Sequence, residues 1–305
     1  MSSVVVAATA LLASVGGELT WGGIEPHPAV VNPVVEQPAA DVVSLRGTWK
    51  FARPERERPH RTGVWGKFFL AEWPDARDIQ GPACWEAQGI GEPGDGECWD
   101  PKWDNCQKPI SHKYMGNGWY RKDVEIPAAW AGKRIWIKFG GLRSVGWVWV
   151  NGRQVALIDN YCATVKYEIT GFVKPGETAR VVVQVDNRKP SRKGLVSIVH
   201  KWGGILRDVE LEATPQTFID DAWARGDFDR HVCEVHVETA GAASAASVRV
   251  NVEGEVADVP VARDGGETVV TLPLRNFRLW SPEHPNLYTA AVELVMGGQV
   301  VHTRR

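Results

Sequence analysis

Between Gly89 and Pro109 five carboxylates, Glu92, Asp95, Glu97, Asp100 and Asp104, stand among Gly91, Gly94, Gly96, Pro93 and Pro101, with Trp99 and Trp103 interleaved. Paired carboxyl groups can do general acid–base work. Cleaving a glycosidic bond with retention needs two of them about 5 Å apart, and inversion needs roughly 6.5–9.5 Å. One of the pair must hold a proton when it acts, which takes burial or a like-charged neighbour. A segment with this many breakers reads as a long loop, and long loops in compact domains are often functional. Spacing along an irregular loop sets no carboxylate separation. The plain reading is therefore a solvated acidic loop, with a relocated catalytic pair and a calcium site as the alternatives, since loop carbonyls and carboxylates suit hard cations. The spacing does not follow the EF-hand pattern.

A second polar group, Asp159, Asn160 and Tyr161, follows an apolar stretch and could donate to and accept from sugar hydroxyls. Flat aromatic rings suit the apolar faces of sugars, and ligand sites favour aromatic surface. Trp99 and Trp103 are the indoles expected to be exposed, and His200, near Trp202, is the histidine to inspect. None of the eight histidines lies in an HExxH pattern, and no Gly-rich turn joins a strand to a helix, so nucleotide binding has no support. Cys84, Cys98 and Cys106 lack zinc-ligand spacing. No cofactor and no metal are expected. With Cys162 and Cys233 the cysteines number five, too few and too spread for a disulfide framework, although export would permit a Cys98–Cys106 bridge.

The elements that must position these groups are strands. Ile135, Ile137 and Phe139 alternate with Arg134, Trp136 and Lys138, and Val181, Val183 and Val185 alternate with Arg180, Val182 and Gln184. Period-two alternation puts each apolar set on one sheet face. Val145 to Val150 is nearly continuous Val and Trp, so both of its faces should be covered, and Trp147 and Trp149 should share a face in core packing. Asn151-Gly152 closes that strand as a hairpin turn. Beyond Thr214-Pro215 the alternation resumes in Cys233, Val235 and Val237, in Val248, Val250 and Val252, in Val270, Leu272 and Leu274, and in Ala290, Val292 and Leu294. This spacing fits a β-sandwich of roughly 90 residues. Pro127 to Gly132 is too short for a stable helix, and no segment carries a long helical period, which argues against a barrel or a doubly wound sheet.

At 305 residues with a net charge of -2 the chain can build a substantial core. It shows no broad nucleic-acid or anionic-membrane surface. Val4 to Val15 is apolar but too short to span a bilayer, and no Lys or Arg precedes it as in a secretory leader. A cytoplasmic setting is favoured over export. The expected organisation is an arm or leader over residues 1–44, a first sandwich over 45–214 and a second over 215–305.

Several ordered motifs narrow the reading. They are Gly118-Trp119-Tyr120-Arg121-Lys122 with Ile126-Pro127 and Trp130; Phe139-Gly140-Gly141-Leu142 with Val148-Trp149-Val150-Asn151-Gly152; Tyr167-Glu168-Ile169-Thr170 with Lys174-Pro175-Gly176-Glu177; Val185-Asp186-Asn187; Gly203-Gly204-Ile205-Leu206-Arg207-Asp208-Val209; and Leu279-Trp280-Ser281-Pro282 with Leu287-Tyr288. Each is weak alone. In this order and spacing, residues 45–303 resemble the N-terminal sugar-binding jelly roll and the immunoglobulin-like domain of glycoside hydrolase family 2, which includes β-galactosidases, β-glucuronidases and β-mannosidases. The resemblance implies an all-β chain with a galactose-binding-like jelly roll first and an immunoglobulin-like sandwich second.

In that family the catalytic acid/base and nucleophile, both glutamates, sit on a third domain, a (β/α)8 barrel. No residue of this chain matches either glutamate. The implied role is a carbohydrate-binding accessory part acting on β-linked glycosides or oligosaccharides beside a catalytic barrel domain or subunit, with homo-oligomers also expected. A short β-galactosidase-like enzyme built on the loop carboxylates, and a stand-alone lectin-like or assembly module, are the alternatives. Relatives often place Gly, His and Tyr after the hairpin, whereas here Ala156 to Thr164 reads differently, and the loop over 89–109 is longer than the resemblance implies.

Overall fold

The computed structural model describes residues 4–6, 41–53, 73, 76–93, 112–159, 163–188, 202–241, 246–261, 266–275 and 278–304. The chain divides into a unit over Val42–Ala213 and a unit of Met1–Asp41 with Thr214–Arg305. In both, the described residues form antiparallel sheets, and the helical segments are short 3-10 turns such as Ala128–Trp130.

In the first unit a six-stranded sheet runs in the spatial order Arg153–Ile158, Val145–Val150, Thr178–Asp186, Asn117–Glu125, Gly47–Ala52 and Arg77–Gly81. A four-stranded sheet runs Val165–Glu168, Arg134–Phe139, Val209–Thr214 and Val42–Ser44. Between them lies one apolar core that includes Ile135, Ile137, Phe139, Val181, Val183 and Val185, the residues the alternation assigns to it. Residues 42–44, expected in the arm, pair with Glu210 to Glu212 at the sheet edge.

Thr178–Asp186 departs from simple alternation. Val182 is 1 % exposed and Gln184 is also buried. This strand is central, so its outer face is covered too, by a second cluster of Trp73, Trp119 and Trp149 against Val182. The Trp119 and Trp149 rings stack with centroids 5.4 Å apart, and Trp147 packs on the same cluster. The period-two rule assumes one wet face, and here indoles replace the water. The hairpin after Val150 has Asn151 at φ 49° and Gly152 at φ 77°, the two positive values a tight two-residue turn requires.

Trp85 holds the core at one end. It is fully buried. A Cβ on Gly118 would lie 2.5 Å from its ring and 2.7 Å from Phe51, and one on Gly203 would fall inside the indole. The backbone at both positions can therefore approach this ring only without a side chain. The indole Nε1 donates to Glu86 Oε1 at 2.7 Å.

In the second unit Phe218–Asp227, Val232–Ala240 and Glu267–Pro273 form one sheet. The other is built on Tyr288–Met296, which pairs with Ala246–Val252 on one side and with Val4–Val6 and Gln299–Arg304 on the other. Ala246–Val252 pairs in turn with Glu255–Pro260. All four alternating sets named from the sequence lie in this core. The Leu279 to Tyr288 stretch is turn-rich: His284 N donates to Ser281 Oγ at 3.0 Å, and Asn286 Nδ2 donates to Leu279 O at 2.7 Å.

Trp85→Ala should cost about 3–5 kcal/mol by cavity formation, and Gly118→Ala about 1–3 kcal/mol by overpacking. In a Trp85→Leu background the Gly118→Ala penalty should shrink by at least ~0.5 kcal/mol, because the two residues are in contact. Urea unfolding of the four chains measures this coupling, and additive penalties would contradict the packing described.

Candidate functional site

The first domain gathers its buried polar residues at one end of the six-stranded sheet. Asp186 ends one strand and lies opposite both Asn117 and Val145 in register. At the same end Ile158 lies opposite Gly146, and Ala52 lies opposite Trp119. Arg53, Ala76, Asn117, Asp159 and Arg188 therefore all belong to one rim.

An unpaired polar group buried here would be costly, and the local sequence supplies the partners. Asn187, fully buried, works as a clamp: its Oδ1 accepts from Gly116 N at 2.9 Å and its Nδ2 donates to Tyr114 O at 2.8 Å. Gln184 Nε2 donates to Asn117 Oδ1 at 2.9 Å. The Asp186 carboxylate, 0 % exposed, is gripped by Arg188 through Nε at 3.0 Å and a terminal nitrogen at 3.1 Å. Such two-point charge-assisted bonds fix direction as well as energy.

Glu86 is the second buried carboxylate of this region. It sits in a 3-10 turn closed by Gly89 at φ 74°. The neighbouring Gln88 side chain bonds both backbone groups of Gln80, at 2.6 and 3.0 Å, and so ties the turn to the edge strand. Glu86 accepts from Gly203 N at 3.1 and 3.2 Å as well as from Trp85. Burial pushes its carboxyl up to about 7, against the opposing pull of those hydrogen bonds and the charge of Arg143. Burial likewise raises the Tyr120 phenol. The Arg143 guanidinium lies over Trp202, 4.6 Å from the ring centroid, and Trp202 is 37 % exposed. The rim thus presents an aromatic face backed by a buried cation.

Of the residues singled out from the sequence, Glu92 is exposed, in a short ladder where Glu92 and Pro93 oppose Lys113 and His112. Asp159 is half-buried at the rim. Asp95, Glu97, Asp100, Asp104, Trp99, Trp103, Asn160, Tyr161 and His200 lie outside the described residues, as do Cys98 and Cys106. Of the described rim residues, Asp159 directly precedes Asn160 and Tyr161 in the sequence. Sequence reasoning missed Glu86, Arg143, Asn117 and Asn187. Asn187 stands in one of the ordered motifs, whereas Glu86 carries no signal beyond a carboxylate next to a tryptophan. Cys84 and Cys233 are free thiols. Among the described residues no cluster of three His, Cys, Asp or Glu is placed to hold a metal, and no helix is long and apolar enough to cross a membrane.

A jelly-roll sandwich followed by an immunoglobulin-like sandwich defines a class of two-domain, all-β chains. Residues 42–215 match the family described as glycosyl hydrolases family 2, sugar binding domain, and residues 217–305 match glycosyl hydrolases family 2. The chain belongs to glycosyl hydrolase family 2.

Among curated proteins it is 29% identical over 218 residues to a β-galactosidase of Thermoanaerobacter pseudethanolicus, covering 65% of this chain and 29% of that one. It is 24% identical over 262 residues to a β-galactosidase of Clostridium acetobutylicum, covering 81% of this chain and 28% of that one. Among solved structures it is similar to a family 2 glycosyl hydrolase from Bacteroides cellulosilyticus, with TM-score 0.64, 22% identity, and coverage of 87% and 35%. It is also similar to a β-glucuronidase from Ruminococcus gnavus, with TM-score 0.63, 22% identity, and coverage of 87% and 44%. The structural likeness carries the fold. The chain spans under a third of the length of these curated relatives.

Because the folded state holds the Glu86 proton up to about pH 7 while an unfolded glutamate loses it near 4.5, this group's contribution is fully present below pH 4.5. It is lost as pH rises toward and through 7, by up to ~3 kcal/mol. Glu86→Gln should remove this slope. Melting temperatures of both chains from pH 4 to 8 measure it, and parallel curves would contradict the reading.

Proposed function

We propose that this chain is the carbohydrate-binding accessory part of a β-galactosidase-like family 2 glycoside hydrolase. It positions a β-linked glycoside beside a catalytic (β/α)8 barrel that supplies both glutamates. The observation that carries this is the unbroken match of both sandwich domains to the family, over residues 42–215 and 217–305. The relatives it matches are β-galactosidases more than twice its length, which supports a working partnership with further domains.

The rim is the favoured contact surface. Asp159 and the exposed Trp202 border it, and Trp99, Trp103, Asn160, Tyr161 and His200 are the further candidates. Indole faces would meet the apolar side of a sugar ring while amide and carboxylate groups exchange hydrogen bonds with its hydroxyls. A hydrolytic pair within the chain is the weaker reading. The two buried carboxylates of the rim are engaged with backbone and arginine, Glu86 with Gly203 and Asp186 with Arg188.

The chain alone is expected to leave chromogenic β-galactosides and β-glucuronides uncleaved. It should bind galactose no more tightly than millimolar by calorimetry, about −4 kcal/mol or weaker. Turnover that disappears on replacing a carboxylate of residues 92–104 would overturn the accessory role in favour of a relocated site. Micromolar binding of a simple sugar would favour a stand-alone lectin.

A further inference from the structure

The three-stranded sheet of the second unit turns one face to the core, through Cys233, Val235, Val237, Val270 and Leu272, and the other outward. On the outward face the pairing register sets side chains in rows across the strands. Trp223 stands opposite His236, and His236 opposite Val269. In the adjoining row Asp221 stands opposite Glu238, and Glu238 opposite Glu267. Like charges directly opposite one another destabilise a sheet, so folding alone does not reward this row of three acids.

The aromatic row is both exposed and held. Trp223 and Val269 are each 43% exposed. The Trp223 indole stacks on the His236 imidazole, with centroids 3.7 Å and planes 8° apart, and His236 Nδ1 lies 2.8 Å from Glu267 Oε1. One side of the indole is thus fixed while much of its surface meets solvent. The charges of the face do not cancel. Arg225 and Arg230 both pair with Glu234, at 2.6 and 3.0 Å, and Arg230 also faces Asp227 at 3.6 Å, which neutralises that end. Among the described residues no Lys or Arg pairs with Asp221, Glu238 or Glu267.

We propose that this sheet face docks a basic, extended segment of a partner protein, in which arginine alternates with apolar residues. Its guanidinium groups lie over the Trp223 ring and against the Asp221–Glu238–Glu267 row, and an apolar side chain covers Val269. Neighbouring strands are about 4.8 Å apart, and alternate residues of an extended segment about 6.6 Å apart, so two arginines of one segment reach the row together. A guanidinium stacks on an indole and grips a carboxylate at two points, which an ammonium group cannot do. All of these residues belong to the second unit and none to the rim of the first.

Calorimetric titration of the full chain with a six-residue arginine–leucine peptide tests this, beside the lysine–leucine and glutamate–leucine peptides and a neutral β-linked tetrasaccharide. Saturable binding tighter than about 1 mM is expected for the arginine peptide, weakening several-fold from ~50 to ~300 mM salt. The lysine peptide should bind at least about threefold more weakly, and the other two probes not measurably. Trp223→Ala should weaken the arginine peptide by about fivefold or more and Glu238→Gln by about threefold or more. Glu125→Gln, at an exposed acid of the first unit, should leave affinity within about 1.5-fold. No binding of the arginine peptide, or unchanged affinity in Trp223→Ala, would overturn the proposal. An equal loss in Glu125→Gln would also overturn it, marking diffuse charge attraction, as would tetrasaccharide binding that Trp223→Ala abolishes, marking a sugar face. Glu238 is exposed, so Glu238→Gln should melt no lower than the unaltered chain. Should Trp223→Ala fail to fold, the contrast between Glu238→Gln and Glu125→Gln decides.

Discussion

The first domain depends on one steric constraint: an indole held between two strips of glycine backbone. Trp85 occupies a space that Gly118 and Gly203 can border only because neither has a Cβ. Close packing without voids is what a large ring contributes, but it also gives the ring a polar edge that needs an acceptor. Glu86, the next residue, provides that acceptor and extends the same carboxylate to Gly203 N. A single dipeptide thus fixes the inner packing and the position of backbone 117 residues away. The cost is a carboxyl group in an apolar setting, and the burial that raises its proton affinity is the same burial that makes the packing effective.

The rim follows from that anchoring. With the Gly203–Gly204 backbone pinned on Trp85, Gly204 pairs with Arg143, and Arg143 in turn lies under Trp202. On the other side Asn187 ties the approach to Asn117, and Asp186 holds Arg188. The Asn187 bonds join positions about seventy residues apart and the Asp186–Arg188 pair fixes the strand end locally, so the segments leaving the sheet here start from fixed points. A loop can present a ligand-binding group with precision only to the extent that its ends are held, and here the ends are held by buried polar contacts rather than by apolar packing.

Much of this architecture is legible in the amino-acid pattern alone. The alternations at Ile135, Val181, Cys233, Val248, Val270 and Ala290 report one buried face each, and the residues lie where that rule puts them. The rule gives no account of Val182 and Gln184, because the covering of the outer face comes from Trp73 and Trp119, which no local period announces. The arrangement at Trp85 is illegible for a similar reason. Gly118 and Gly203 are visible as motif residues, but the ring that makes them obligatory lies in a short turn without periodicity. Asn151-Gly152, by contrast, carries its whole explanation in two residues.

The buried carboxylates sharpen what such a domain is for. A group that protonates a leaving oxygen, or attacks an anomeric carbon, has to present an oxygen toward an open face. Glu86 turns toward Gly203 N and the Trp85 indole, and both oxygens of Asp186 face Arg188. Each is committed to holding backbone or a neighbouring cation in place. Removing either would loosen the rim before it altered any reacting bond. The acids of this end of the sandwich therefore act as internal fasteners, and what the rim presents is shape, an aromatic face and a set of rigid points of departure.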